Sequence, residues 1–249
     1  MKTSHIFAFA LTLILSLPFT VSADDGRVVL VTGANRGIGL EFVQQLKAKG
    51  FDVIGTARSP AKATELKATG ARVEQLDVTD AASVAALAQS LDGVAIDLLI
   101  NNAGMLNRED SSLDTLDFEV MERSFQVNSL GPLRVTQALL PNLRAGDGKT
   151  IVNITSRLGS IELSTGGLYS YRTSKTALNQ INKIVSSELA SEGFTNIVMH
   201  PGWVRTDMGG AGATLSKTES VSGMLGVIDN LTTDSNGKFF NYDGSELPW

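Results

Sequence analysis

The chain has 249 residues, of which 43% are hydrophobic and 19% charged, with no cysteine, two histidines and a formal net charge of −5. This length and composition suit a folded unit that buries its own core, and do not suit a disordered chain. Without cysteine there are no disulfides, thiolate metal sites, Fe–S clusters or cysteine nucleophiles. Two histidines leave almost nothing for a His-built metal centre, so no metal is expected. The absence of any Lys/Arg run speaks against nucleic acid as a partner.

Residues 1–23 read as a secretory signal. Lys2 precedes an apolar core over 6–17, and Val21-Ser22-Ala23 supplies the small residues of a cleavage site. The core is shorter than the roughly 20 residues of a spanning helix. Cleavage after Ala23 would leave Asp24 at the start of an exported, periplasmic or secreted protein with no stable membrane insertion. An uncleaved anchor and a cytoplasmic protein starting near Val28 are the alternatives.

From residue 24 to 249 the pattern is that of one domain. β-Branched or apolar runs predict strands over 27–32, 52–56, 72–76, 95–100, 149–155 and 196–200. Helical spacing lies between them, over 38–49, 60–69, 81–90, 113–127, 133–143 and 169–191. The Gly/Ser/Thr-rich stretch 209–230 reads as a mobile loop holding a short helix, and 238–240 would close the sheet. This alternation predicts an α/β fold, a single doubly wound parallel sheet of the Rossmann type.

Thr32-Gly33-Ala34-Asn35-Arg36-Gly37-Ile38-Gly39 lies between the first strand and the first helix. Glycines there permit a tight turn and close approach of backbone to a pyrophosphate, which the free N–H groups of the helix start would bind. A carboxylate roughly 20 residues further on would hold the ribose hydroxyls of NAD. Here the second strand instead ends Gly55-Thr56-Ala57-Arg58. Arg58 can form a bidentate pair with a 2′-phosphate and Arg36 can approach it, so the residues favour NADP(H).

Asn101-Asn102-Ala103-Gly104 follows the fourth strand, Ser156 the fifth, and Tyr171-x3-Lys175 opens the long helix. With the glycine turn, these motifs resemble the short-chain dehydrogenase/reductase family over residues 27–249. The stretches 33–41, 171–175, 201–210 and 239–244, and the terminal Pro248-Trp249, are most similar to sniffer-type carbonyl reductases and bacterial C-factor-like proteins.

Tyr171 and Lys175, four residues apart, share one helix face. A phenol with a pKa of roughly 10 exchanges protons poorly near neutrality. A neighbouring ammonium should lower that value and make Tyr171 a general acid for ketone reduction and a base for alcohol oxidation. The resemblance implies that Lys175 also binds the nicotinamide ribose, that Ser156 holds the substrate carbonyl oxygen, and that Asn128 supports a water relay to Lys175. Ser156 stands slightly further before Tyr171 than is usual in the family. By position, Asp77 would accept from the adenine amino group, residues 101–104 would pass the adenosine ribose, and Val204 and Thr206, after Pro201-Gly202, would meet the nicotinamide amide and a phosphate. His200 reads as a packing residue.

The expected function is reversible reduction of a small ketone or aldehyde by an NADP(H)-dependent oxidoreductase, with loops 105–112 and 209–222 shaping the pocket. A cofactor-binding signalling or sensor protein with little turnover is the alternative, since the resemblance to C-factor proteins implies cell-to-cell signalling. The long helices are common dimer faces in this family, leaving a homodimer or tetramer open.

Overall fold

The computed structural model describes residues 26–249, so the leader expected over 1–23 lies outside the described residues. Strands β1 (Val28–Val31), β2 (Asp52–Ala57), β3 (Arg72–Gln75), β4 (Leu98–Asn101), β5 (Thr150–Ile154), β6 (Thr195–His200) and β7 (Phe239–Asn241) form one sheet in the order β3-β2-β1-β4-β5-β6-β7. Every neighbouring pair is parallel. The order reverses between β1 and β4, which opens a crevice at the carboxyl ends of these strands.

Side chains alternate across the sheet. Val29 and Val31 point to one face, where they pack with Phe42, Val43 and Leu46 of helix α1 (Gly37–Ala48). Leu30 points to the other face, where it meets a core that includes Val84, Leu87, Val135, Leu139 and Leu143. Those residues belong to or adjoin α3 (Ala81–Ser90), α5 (Gly131–Ala138) and α6 (Leu140–Ala145), which follow the short α2 (Thr64–Ala68) and α4 (Phe118–Phe125) in the chain. α7 (Tyr169–Leu189) and α8 (Lys217–Asp229) complete the two layers.

Three helical expectations shift. The helix expected over 60–69 is a 3-10 turn at Pro60–Lys62 followed by α2. The segment expected as two helices over 113–127 and 133–143 is a 3-10 turn at Leu113–Thr115, α4, a π-helical turn at Gln126–Leu130, α5 and α6. Asp117 fixes the start of α4 by accepting from the N–H groups of Glu119 and Val120. Pro132 and Pro141 each stand in a first helical turn, where the missing N–H costs nothing. The stretch read as a mobile loop with a short helix carries the 13-residue α8, whose capping box joins Ser216 and Glu219. Val221, Met224 and Leu225 place α8 in the core beside α1.

The sheet interior is cross-linked by amides. Asn153 Nδ2 donates to Asn182 Oδ1 (2.9 Å) and Asn196 Oδ1 (3.0 Å), and Asn153 Oδ1 accepts from Asn101 Nδ2 (2.9 Å). All four residues are buried. Asn153→Ala leaves the buried Asn182 and Asn196 Oδ1 atoms without a donor and Asn101 Nδ2 with Thr136 alone. It should destabilise the domain by about 3 kcal/mol, seen as a fall in Tm of roughly 6–12 °C by scanning calorimetry.

Candidate active site

The glycine turn is held from β4. Thr32 Oγ1 accepts from the N–H groups of Asn102 and Ala103, both at 3.0 Å. Asn102 Nδ2 donates back to the carbonyls of Thr32 (2.9 Å) and Gly33 (3.2 Å). Gly33 (φ 64°) and Gly37 (φ 60°) occupy the left-handed region. A Cβ on Gly39 would lie 2.4 Å from the Gly33 carbonyl oxygen, so only glycine fits. α1 then begins with Arg36 at its N-cap, whose side chain makes no capping bond to the first N–H groups. A tight turn with glycine at 33, 37 and 39, leading into the first N–H groups of α1, fits a dinucleotide pyrophosphate. Asn35 is exposed at the tip of the turn, and Ile38 packs partly against the core.

The residues read as adenosine contacts divide. Arg58 is exposed at the end of β2. The Thr79 hydroxyl (2.7 Å) and N–H (2.9 Å) donate to Asp77 Oδ1 and hold its carboxyl below the usual range, with smaller help from the Arg58 and Arg123 charges. Arg36 is ion-paired with Asp207 at 2.9 Å on the surface, so the 2′-phosphate would have to compete for it. The expectation for residues 101–104 is an approach by backbone; the Asn101 side chain turns its Nδ2 into the interior, to Thr136 and Asn153. Asn102, Ala103 and Gly104 do line the end of β4; a Cβ on Gly104 would stand 3.4 Å from Asn128 Oδ1 and 3.6 Å from Lys175 Nζ. The segment after β6 returns over the turn: a Cβ on Gly37 would meet Thr206 Cγ2 at 3.7 Å. Val204 is buried and bridged to Leu215, the Pro201 carbonyl accepts from Ser220 Oγ (2.6 Å), and Thr206 Oγ1 accepts from the Gly209 N–H (3.0 Å).

Ser156 follows β5 and caps a 3-10 turn, its Oγ accepting from the Leu158 N–H at 3.1 Å. This turn lies directly on α7. Thr155 Oγ1 donates to Asn179 Oδ1 (2.7 Å), while Thr176 Oγ1 (2.9 Å) and Asn179 Nδ2 (3.1 Å) donate to the Gly159 carbonyl. The docking places the Ser156 hydroxyl beside buried Tyr171, near enough to pull the phenol pKa down. One helical turn on, Lys175 is 4% exposed, donates to the Ile154 carbonyl (2.8 Å), and has its Nζ 5.9 Å from the Tyr171 ring centroid. Asn128 lies in the π-helical turn, a geometry frequent at functional sites. Its Oδ1 accepts from the Met105 N–H (2.8 Å), and its Nδ2 donates to the Met105 carbonyl (2.9 Å) and Ser174 Oγ (3.0 Å).

The electrostatics differ from expectation. Burial, more than any charge, sets the Tyr171 phenol, and it pushes the pKa up; Ser156 and the Arg108 guanidinium pull it back in part. Lys175 is itself desolvated, which lowers its pKa from 10.5 to about 8. Lys175 is not among the groups that pull the Tyr171 phenol down. Arg108 was not among the expected site residues. It reaches from the loop after β4 to the Met208 carbonyl (2.7 Å), a pairing that spacing along the chain does not signal. Burial lowers the pKa of His200 to about 4, which leaves it neutral and suits a packing role.

The family model for short chain dehydrogenases matches residues 27–214. The chain belongs to this family. It is 50% identical over 155 residues to C-signal of Myxococcus xanthus, covering 62% of this chain and 93% of that protein. It is 36% identical over 229 residues to 1-hydroxy-2-glutathionyl-2-methyl-3-butene dehydrogenase of Rhodococcus sp. (strain AD45), covering 89% and 99% of the two chains. The NADPH-bound carbonyl reductase from chicken fatty liver superposes with a TM-score of 0.85 at 38% identity, over 90% of this chain and 99% of that one. Carbonyl reductase Sniffer of D. melanogaster gives 0.85 at 31%, over 90% and 100%. These likenesses place the chain among oxidoreductases with carbonyl reductases as structural neighbours.

The Lys175 shift has a consequence for stability. From pH about 8 up to its ordinary 10.5, the unfolded chain keeps a proton on Lys175 that the folded chain has released. Stability of the cofactor-free protein therefore rises with pH across this window, by up to about 3 kcal/mol from this group. Thermal melts between pH 8 and 10 should show that rise in the parent protein and a flatter profile in Lys175→Met.

Proposed function

We propose that the chain is an NADP(H)-dependent carbonyl reductase that interconverts small ketones or aldehydes and their alcohols. The observation that carries this reading is the Tyr171 hydroxyl, buried against Ser156 and one helical turn from Lys175, at the crevice beside the glycine turn. Gly33, Gly37, Gly39 and the first N–H groups of α1 would hold the pyrophosphate. Arg58 would meet the 2′-phosphate, and Lys175 the nicotinamide ribose. When bound, NADPH supplies the hydride.

The chain's own residues do the rest. The Ser156 hydroxyl orients the carbonyl oxygen, and Tyr171 delivers the proton that this oxygen needs as the carbon is reduced. A raised phenol pKa keeps Tyr171 protonated at neutral pH, which suits it to act as the acid. A cationic nicotinamide and a charged Lys175 would favour the phenolate in the reverse direction. Burial of Tyr171 and Lys175 limits loss of protons to water.

Tyr171→Phe keeps the ring and removes the transferable proton. Turnover in a carbonyl panel should fall at least ~10²-fold while NADPH affinity, read by nucleotide fluorescence, holds. Retained turnover would defeat the acid–base assignment. Arg58→Ala should weaken NADPH about 10- to 150-fold and leave NADH largely unaffected, as loss of one charge-assisted pair to a phosphate implies. Equal affinity of the variant and the parent for NADPH would overturn the role given to Arg58.

The identity to C-signal favours a second reading, a cofactor-binding signalling protein with little turnover. NADPH oxidation by the parent protein against the carbonyl panel separates the two.

A further inference from the structure

The amino end of α7 has an unusual support. Its own N-cap residue, Leu168, is in the left-handed region (φ 52°) and offers no side-chain cap. Asp110, from the loop after β4, supplies what is missing: its Oδ2 accepts from the Ser170 N–H at 2.7 Å and its carbonyl from the Tyr169 N–H at 3.2 Å. Asp110 is wholly buried, and its Oδ1 has no hydrogen-bond partner among the described residues. A carboxylate in that setting carries a heavy desolvation cost. Charge-assisted bonds to helix N–H groups and the positive end of the helix dipole offset part of it.

The same loop grips α7 a second time. Asn128 clamps both backbone groups of Met105 and donates to Ser174 Oγ. Tyr171 therefore lies between two pins, one at Ser170 and one at Ser174, both tied to residues 105–110. Between the pins, Arg108 ties the loop to the Met208 carbonyl across the crevice.

We propose that Asp110 is a positioning residue for the reaction: by capping α7 from the loop after β4, it holds Tyr171 against Ser156. This rests on the assignment of Tyr171 as the proton donor, so the test includes a readout that needs no turnover. The chain has three tyrosines. In a Tyr169→Phe/Tyr242→Phe background, ultraviolet pH titration therefore reports Tyr171 alone.

Asp110→Ala removes the acceptor. The expected result is a kcat lower by at least about tenfold, as loss of near-attack geometry implies, with NADPH affinity unchanged. The Tyr171 titration midpoint should also move down toward the ordinary phenol range as the ring loosens into solvent. Asp110→Asn keeps an oxygen facing the Ser170 N–H and should restore both kcat and the midpoint. If Asp110→Ala yields no NADPH-binding protein, Asp110→Ser, too short to reach Ser170, takes its place with the same expectations. The proposal is overturned if the truncated variant binds NADPH and keeps the parent kcat and midpoint, or if Asp110→Asn is as impaired as the truncation. If the parent turns over no member of the carbonyl panel, it is the reductase reading that fails, and the titration alone still decides whether Asp110 positions Tyr171.

Discussion

The Thr32 side chain is the joint on which this molecule turns. One hydroxyl oxygen accepts two N–H groups from the end of β4, and Asn102 answers by donating to the carbonyls of Thr32 and Gly33. These bonds fix the end of β1 against the end of β4, where the strand order reverses. The glycine turn thereby takes its shape from the other half of the sheet. Gly39 packs onto the same Gly33 carbonyl, so α1 is set by this joint as well.

A chain of contacts runs from there to the chemistry. Asn102 to Gly104 lead into Met105, Met105 is clamped by Asn128, and Asn128 touches Ser174 on α7. On its other flank α7 is bolted to the turn after β5 through Asn179 and Thr176. Tyr171 and Lys175 are therefore held from both sides in a buried setting. Low dielectric raises the proton affinity of the phenol and lowers that of the amine, which moves their pKa values apart. The protein presents an acid that stays protonated and an amine that is only reluctantly charged.

Much of this was legible along the chain, for local reasons. The strands are β-branched or apolar runs, and the glycine turn, the 101–104 stretch and the Tyr171/Lys175 spacing are contiguous signals that need no tertiary knowledge. What escaped was set by partners distant in sequence. The 209–230 stretch reads as a loop with only a short helix because glycine and serine are poor helix formers, yet the Ser216–Glu219 capping box of α8 is readable and its Met224 and Leu225 find a core that only the folded sheet provides. That the Asn101 Nδ2 engages Asn153, 52 residues away, has no local signal. The direction of the Tyr171 shift depends on burial, which spacing does not encode. Asp110 meets Ser170 across 60 residues, with no motif to announce it.

The π-helical turn over Gln126–Leu130 has a bearing on how such a chain tolerates insertions and deletions. A turn of this kind holds one residue more than an α-helical turn. Were the chain one residue shorter there, an ordinary α-helical turn would cover nearly the same rotation, so α4 and α5 would keep their relative orientation. Only the residues inside the turn would be re-aimed, and Asn128 would lose its line to Met105, while Gly131, which has no room for a Cβ beside Val78, would keep its place against the other layer. Point substitutions in this stretch change one contact at a time, but a frame-preserving loss of a single codon would loosen the loop after β4 from α7 while leaving the hydrophobic core intact.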